Sequence, residues 1–134
     1  MRERLNFWVI GGDPRQAALA KALNEDGHTV HTFALEHGME SSLCADSLAG
    51  AAIADCVILP LPAVNGELIN APLSDRRLSL ADTLAALRPG QLLCAGRASP
   101  LLQEEAAKHD LRLVDYFARE ELAIANAVPV SLAV

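Results

Sequence analysis

Apolar and polar positions alternate in blocks along this chain. Short, nearly unbroken apolar runs stand at 5–10, 28–33, 55–59, 91–95 and 111–114, bounded by charged residues, Gly or Pro. Runs of this length predict strands, and three of them are apolar enough to need cover on both faces, as in a parallel sheet. Between them the pattern takes a helical period. A helix is predicted over 14–26, opening at Asp13-Pro14 and ending at Gly27; another over 80–87, between Ser79 and Pro89-Gly90; a third over 100–109, after Ser99. Oxygen-bearing side chains before the first turn, proline inside it and glycine after the last are cap and stop signals. The stretch 34–54 is weakly patterned and predicts only a short helix at 47–53. Near the end, 118–128 (AREELAIANAV) predicts a helix with Leu122, Ala125 and Val128 on one face, stopped by Pro129.

Strands alternating with helices imply an α/β fold: a Rossmann-like, doubly wound, five-stranded parallel sheet in three layers, in the flavodoxin-like order 2-1-3-4-5. A length of 134 residues with 51% hydrophobic residues suits a single domain over 1–134. In that order the ligand crevice opens at the carboxyl ends of strands one and three, where the chain leaves to opposite sides. Two loops meet there: Gly11-Gly12-Asp13-Pro14-Arg15-Gln16, and the long 60–72 segment PLPAVNGELINAP, whose three prolines predict a shaped rim.

Charge narrows the partners. Eleven Lys and Arg against 17 Asp and Glu give a formal charge of −6, and Arg76-Arg77 is the nearest thing to a basic stripe, so nucleic acid is not expected. The apolar part of MRERLNFWVI is too short for a signal sequence and no run approaches a membrane span, so a cytoplasmic protein away from membranes is expected. Cys44, Cys56 and Cys94 are odd in number, well separated and without a Cys-x-x-Cys pair, which predicts reduced thiols. The four histidines are scattered; His28 and His31 fall on opposite faces of a strand, so no metal cluster is predicted. No nucleophile elbow, Walker loop or His-Glu-x-x-His motif is present.

The first loop has the position of a dinucleotide loop without its chemistry. Asp13 and Gln16 stand where small residues would be needed, and Asp13 would set a carboxylate against a phosphate. Asp13, Pro14 and Gln16 fit an N-cap, N1 and N3 capping box; capping alone, or capping together with ligand contact, accounts for them. Gly11 and Gly12 fit a tight turn or a close ligand approach equally well. Arg15 has no such structural reason, since a cation at N2 meets the positive end of the helix dipole. A guanidinium beside a helix start suits a carboxylate, which it can grip with two parallel bonds.

Beyond this loop, the strand end Ile58-Leu59-Pro60 and the run Phe117, Arg119-Glu120-Glu121-Leu122-Ala123-Ile124, Asn126-Ala127-Val128-Pro129 complete a set spread in order over nearly the whole chain. Together they resemble the amino-terminal domain of dipicolinate synthase A subunits. The resemblance implies the substrate-side half of a two-domain sporulation enzyme of the bacterial cytoplasm, which makes dipicolinic acid from a tetrahydrodipicolinate-type intermediate alongside a flavoprotein-like B subunit. It implies no cofactor in this domain, with NAD(P) bound by a later Rossmann domain, and no catalysis by this domain alone. A small dicarboxylate would meet Gly11, Gly12, Asp13, Arg15, Gln16, Pro60 and Asn126. Arg15 would hold one carboxylate, the backbone after Gly11 would receive the other oxygen, and Asn126 would orient the ring, while Asp13 caps the helix and steers Arg15. The sequence departs from the family after Pro129: Val130, Leu132 and Ala133 stand where the family carries Thr and Glu-Gly, so Asn126 is the last residue carried over.

The apolar end PVSLAV reads as a cut into another domain or as a face that packs on a partner, including a homodimer through the 118–128 helix. Two other functions fit the same residues. A free-standing Rossmann-like module binding a small anion or nucleotide would show dinucleotide binding in isolation. A partner-docking domain without catalysis would form a concentration-dependent dimer buried through Ala125 to Val134 and leave the cleft empty.

Overall fold

The computed structural model describes residues 4–115. The elements are β1 (Asn6–Ile10), α1 (Pro14–Glu25), β2 (Thr29–Phe33), β3 (Cys56–Ile58), β4 (Val64–Asn65), β5 (Leu68–Ile69), α2 (Leu80–Ala85), β6 (Leu92–Ala95), α3 (Pro100–Lys108) and β7 (Arg112–Asp115). Five strands form one sheet in the order β2-β1-β3-β6-β7, every pair parallel. Numbered within the sheet, that is 2-1-3-4-5, the expected order. The extra strands β4 and β5 pair antiparallel outside it.

The apolar runs are continuous because both faces of the sheet are covered. On one face Trp8, Val57 and Leu93 sit level across β1, β3 and β6 and pack with Leu80 and Leu84 of α2 and Leu102 of α3. The next row faces the other way: Val9 and Ile58 pack with Ala20 of α1. Helices on both faces make the three layers.

The caps fall as the sequence predicts. Ser79 Oγ accepts from the Asp82 N–H, Ser99 Oγ from the Leu102 N–H, and Asp13 from the Arg15 N–H. Two helices are shorter than the pattern implies. The second stops at Ala85, not at 87, because the turn after it is drawn toward Gln91, whose Oε1 accepts from the Arg88 N–H at 2.8 Å. The helix expected at 47–53 is a single 3₁₀ turn, Ala51–Ile53, with another at Ser41–Leu43 in the weakly patterned stretch. The helix expected at 118–128 lies outside the described residues.

Gln91 joins two crossovers at the amino ends of the strands. It is 2% exposed, and its Nε2 donates to the Ala51 and Ala54 carbonyls at 2.7 and 2.9 Å. Leucine there would leave the Arg88 N–H and the Ala54 carbonyl without this partner, while the Ala51 carbonyl keeps the Ala54 N–H, so Gln91→Leu is expected to cost about 2–4 kcal/mol. Urea unfolding checks this; an unchanged midpoint at unchanged slope would remove Gln91 from its structural role.

Candidate functional site

β1 ends at the switch point on two glycines in left-handed conformations, Gly11 at φ +68° and Gly12 at +105°. Their N–H groups turn to the protein's own chain: Gly11 donates to the Phe33 carbonyl and Gly12 to the Asn70 carbonyl, both at 2.8 Å. The close approach that glycine permits is made by the 60–72 segment. A Cβ on Gly11 would lie 2.8 Å from Ile69 Cγ2 and 3.0 Å from the Asn70 oxygen. A Cβ on Gly12 would fall 2.1 Å from Gln16 Cγ.

The long loop is therefore more than a rim. It folds into the β4–β5 hairpin, turning at Gly66 (φ +71°), and Ile69, 4% exposed, enters the core. Asn70 closes the base by donating its N–H to the Ala63 carbonyl. This corrects the expectation that the backbone after Gly11 receives a ligand oxygen, since the Gly12 N–H is held by Asn70. Pro60 is buried against the same glycines, 3.2 Å from the position of a Gly12 Cβ, so it supports the loop from beneath.

Asp13 and Arg15 stand on the outer side. Asp13 Oδ1 accepts from the Arg15 N–H at 2.9 Å, while Arg15 Nε lies 3.2 and 3.1 Å from the two carboxylate oxygens and Nη2 2.8 Å from Oδ2. Nη2 also donates to the Leu61 carbonyl at 3.1 Å, which ties the start of α1 to the loop after β3. The Arg15 side-chain hydrogen bonds hold the Asp13 carboxyl below its usual range, against the partial burial that opposes ionisation. The Arg15 side chain is nevertheless 69% exposed.

Gln16 does not complete a capping box. Its side chain is buried and donates from Nε2 toward the Ile58 carbonyl at 3.5 Å, at the end of β3. The bare Gly12 leaves room for this path, so the glutamine bridges helix to sheet. Asp13, Arg15, Gln16, Leu19 and Leu61 line a cleft of about 200 Å³ at the strand ends. Its chemistry is the Arg15–Asp13 ion pair and the Gln16 side chain beside the apolar Leu19 and Leu61. Asn126 lies outside the described residues.

The loop does not fit a dinucleotide diphosphate. The Arg15 N–H is taken by Asp13 Oδ1, the Gln16 and Ala17 N–H groups by the Asp13 carbonyl, and the glycine N–H groups by Phe33 and Asn70.

Two groupings were invisible in the sequence. His37 Nε2 lies 2.9 Å from Asp75 Oδ2, and Glu36 accepts from the Ser74 Oγ and the Asp75 N–H, so Glu36, His37 and Asp75 form an exposed cluster where scattered histidines implied none. These contacts latch the loop after β2 to the segment after the hairpin. Cys56 and Cys94, apart in the chain, come to 3.4 Å between sulfurs on adjacent strands. The Cys94 contact, with burial, pushes the Cys56 thiol far up, so it stays protonated.

The chain matches the family model described as the N-terminal domain of the dipicolinate synthase A subunit, over residues 6–117. It is 30% identical over 132 residues to the dipicolinate synthase A subunit of Bacillus subtilis (strain 168), covering 93% of this chain and 44% of that protein. The crystal structure of the dipicolinate synthase A chain from Bacillus subtilis is similar, with a TM-score of 0.76 and 25% identity over 96% of this chain and 45% of that one. The fold also matches the crystal structure of the dipicolinate synthase A subunit from Bacillus halodurans, with a TM-score of 0.74 and 17% identity over 93% of this chain and 45% of that one. The chain spans less than half the length of these relatives. Among the described residues no helix is long and apolar enough to cross a membrane.

Two outcomes follow from the loop. Titration calorimetry of this chain with NAD or NADP should show no saturable binding in the first-loop cleft, and ligand-dependent chemical shifts confined to residues 11–16 would overturn that. The lowered Asp13 pKa contributes stability that is full above the ordinary carboxylate range and is lost as pH falls through the folded-state value. Asn can still cap the helix, so Asp13→Asn should flatten the acid side of the stability curve while costing less than about 1 kcal/mol near neutrality, the pair being largely exposed. Melting temperatures from neutrality down into the acid range test it: an unaltered acid slope would show that the ion pair adds nothing.

Proposed function

This chain belongs to the family of N-terminal domains of dipicolinate synthase A subunits, and we propose that it forms the substrate-side half of such a protein. The observation that carries this reading is the guanidinium of Arg15, oriented by Asp13 and the Leu61 carbonyl at the mouth of a strand-end cleft whose loop turns its N–H groups to its own chain. A domain that presents one aligned cation and no phosphate cradle suits a carboxylate ligand. Dipicolinate and its ring precursors carry two carboxylates.

In this reading the ligand lies between the rim of this domain and the rest of the subunit, as ligands commonly do at domain interfaces. Arg15, whose side chain is largely exposed, meets one carboxylate with its guanidinium charge. Asp13 fixes the plane of the guanidinium, while Gly11, Gly12, Gln16 and Pro60 set the height and angle of the loop. Asn126 orients the ring. The rest of the subunit would hold a nicotinamide cofactor, which would supply oxidising power for forming the aromatic ring. The whole enzyme works with a flavoprotein-like B subunit in the cytoplasm of a sporulating bacterium, and this half alone catalyses nothing.

Arg15→Lys in the full-length subunit tests the assignment, because lysine keeps the charge and loses the planar fork. Losing one charge-assisted bond should weaken apparent substrate binding by about 1.5–3 kcal/mol, read as a raised KM. The melting temperature should stay near that of the unmodified protein. An unchanged KM would end the anchor role, and a large melting shift with unchanged kinetics would make Arg15 a structural partner of Asp13.

A further inference from the structure

The carboxyl end of β2 opens onto a second cavity, of about 130 Å³, lined by residues 32–36, the segment 44–46 and Arg76. It shares no residue with the Arg15 cleft. Ala34 in its wall is 2% exposed and has a left-handed backbone at φ +61°, a conformation that side-chain-bearing residues seldom adopt and that clusters where chains meet ligands.

The charges on the wall set its chemistry. The Arg76 guanidinium lies over the Phe33 ring, 4.5 Å from its centre, and a stacked guanidinium keeps its in-plane N–H donors for other partners. Among the described residues those donors have no hydrogen-bond acceptor, and the exposed Asp46 carboxylate has neither a donor nor an ion-pair partner. The other polar groups of the wall are committed. Glu36 accepts from the Ser74 Oγ and the Asp75 N–H, Thr32 Oγ1 donates to the Leu43 carbonyl, and the Cys44 thiol donates to the Glu40 carbonyl. One open cation and one open anion therefore line the same cavity. Its volume equals roughly four water molecules in the liquid, well below the pockets of drug-sized ligands, so its occupant is small.

We propose that this cavity binds a small zwitterionic α-amino acid, its carboxylate on Arg76 and its ammonium on Asp46. A guanidinium matches a carboxylate, and a carboxylate matches an ammonium. A ligand with only one of these charges is opposed by the like charge on the same wall: a simple carboxylate meets Asp46 and Glu36 as well as Arg76, and a simple ammonium meets Arg76 as well as Asp46. A zwitterion satisfies both open groups at once. Glycine and alanine suit the volume, and larger side chains must leave through the mouth.

The test titrates this chain, labelled with nitrogen-15, with glycine, L-alanine, acetate and methylammonium at constant ionic strength, and follows the amide shifts of residues 32–36, 44–46 and 76. Glycine and alanine should give saturable shifts there, and acetate and methylammonium should not. Asp46→Asn and Arg76→Gln should each weaken alanine binding by roughly ten- to a hundredfold. Asp46→Asn should leave the melting temperature unchanged, because the carboxylate has no partner to lose, so weaker binding in this variant is free of any folding effect. Arg76→Lys, which keeps the charge without the planar fork, should bind between the unmodified protein and Arg76→Gln. No saturable shift with either amino acid would overturn the inference. Acetate binding as well as alanine would make the cavity a simple anion site, methylammonium binding as well would make it a cation site, and either result overturns the zwitterion. Unaltered alanine binding in Asp46→Asn and Arg76→Gln would overturn it too.

Discussion

The hydrogen bond from the Gly12 N–H to the Asn70 carbonyl organises the functional end of this domain. It joins the loop after β1 to the base of a hairpin that belongs to the connection after β3. With that bond made, Ile69 fills the space beside Gly11, Pro60 supports the glycines, and Gln16 can fold over Gly12 toward the sheet. A phosphate-binding loop needs its N–H groups turned outward. Here they are turned inward, so the same strand-turn-helix that serves dinucleotides elsewhere is closed by its own chain.

Closing the backbone leaves recognition to side chains. Asp13 has two roles at once, capping α1 and aligning Arg15, which is why a cation can sit at a helix start without facing the dipole alone. The Leu61 carbonyl adds a third point of attachment from the neighbouring loop. At the end of β6, Asp115 fixes the turn by accepting from the Arg97 and Ala98 N–H groups.

The strands, their parallel pairing and the three caps were legible because they depend on local signals: apolar runs that need two covered faces, and oxygen-bearing side chains at Asp13, Ser79 and Ser99. Arg15 stood out in its loop as a cation without a local structural reason; the structure supplies one in Asp13, a pairing that was expected, and in the Leu61 carbonyl, which was not. The capping role of Gln16 was misjudged, since the pattern Asp-Pro-Arg-Gln shows the spacing of a capping box but not the empty space above Gly12 that draws the glutamine to β3. The 60–72 segment showed its length and prolines, but its two-residue strands are too short to leave a periodic signal.

By itself, then, the sequence determined the sheet and its layers, because strand burial and helix capping are set by residues close together in the chain. The tertiary structure alone decided what fills the crevice and which distant groups meet there. Asn70 on Gly12, Cys56 beside Cys94, His37 on Asp75 and Asp115 under Arg97 each join segments 18 to 58 residues apart. Such contacts follow from the register of parallel strands and the path of the crossovers, and a one-dimensional pattern does not encode that register until the strands have been laid side by side.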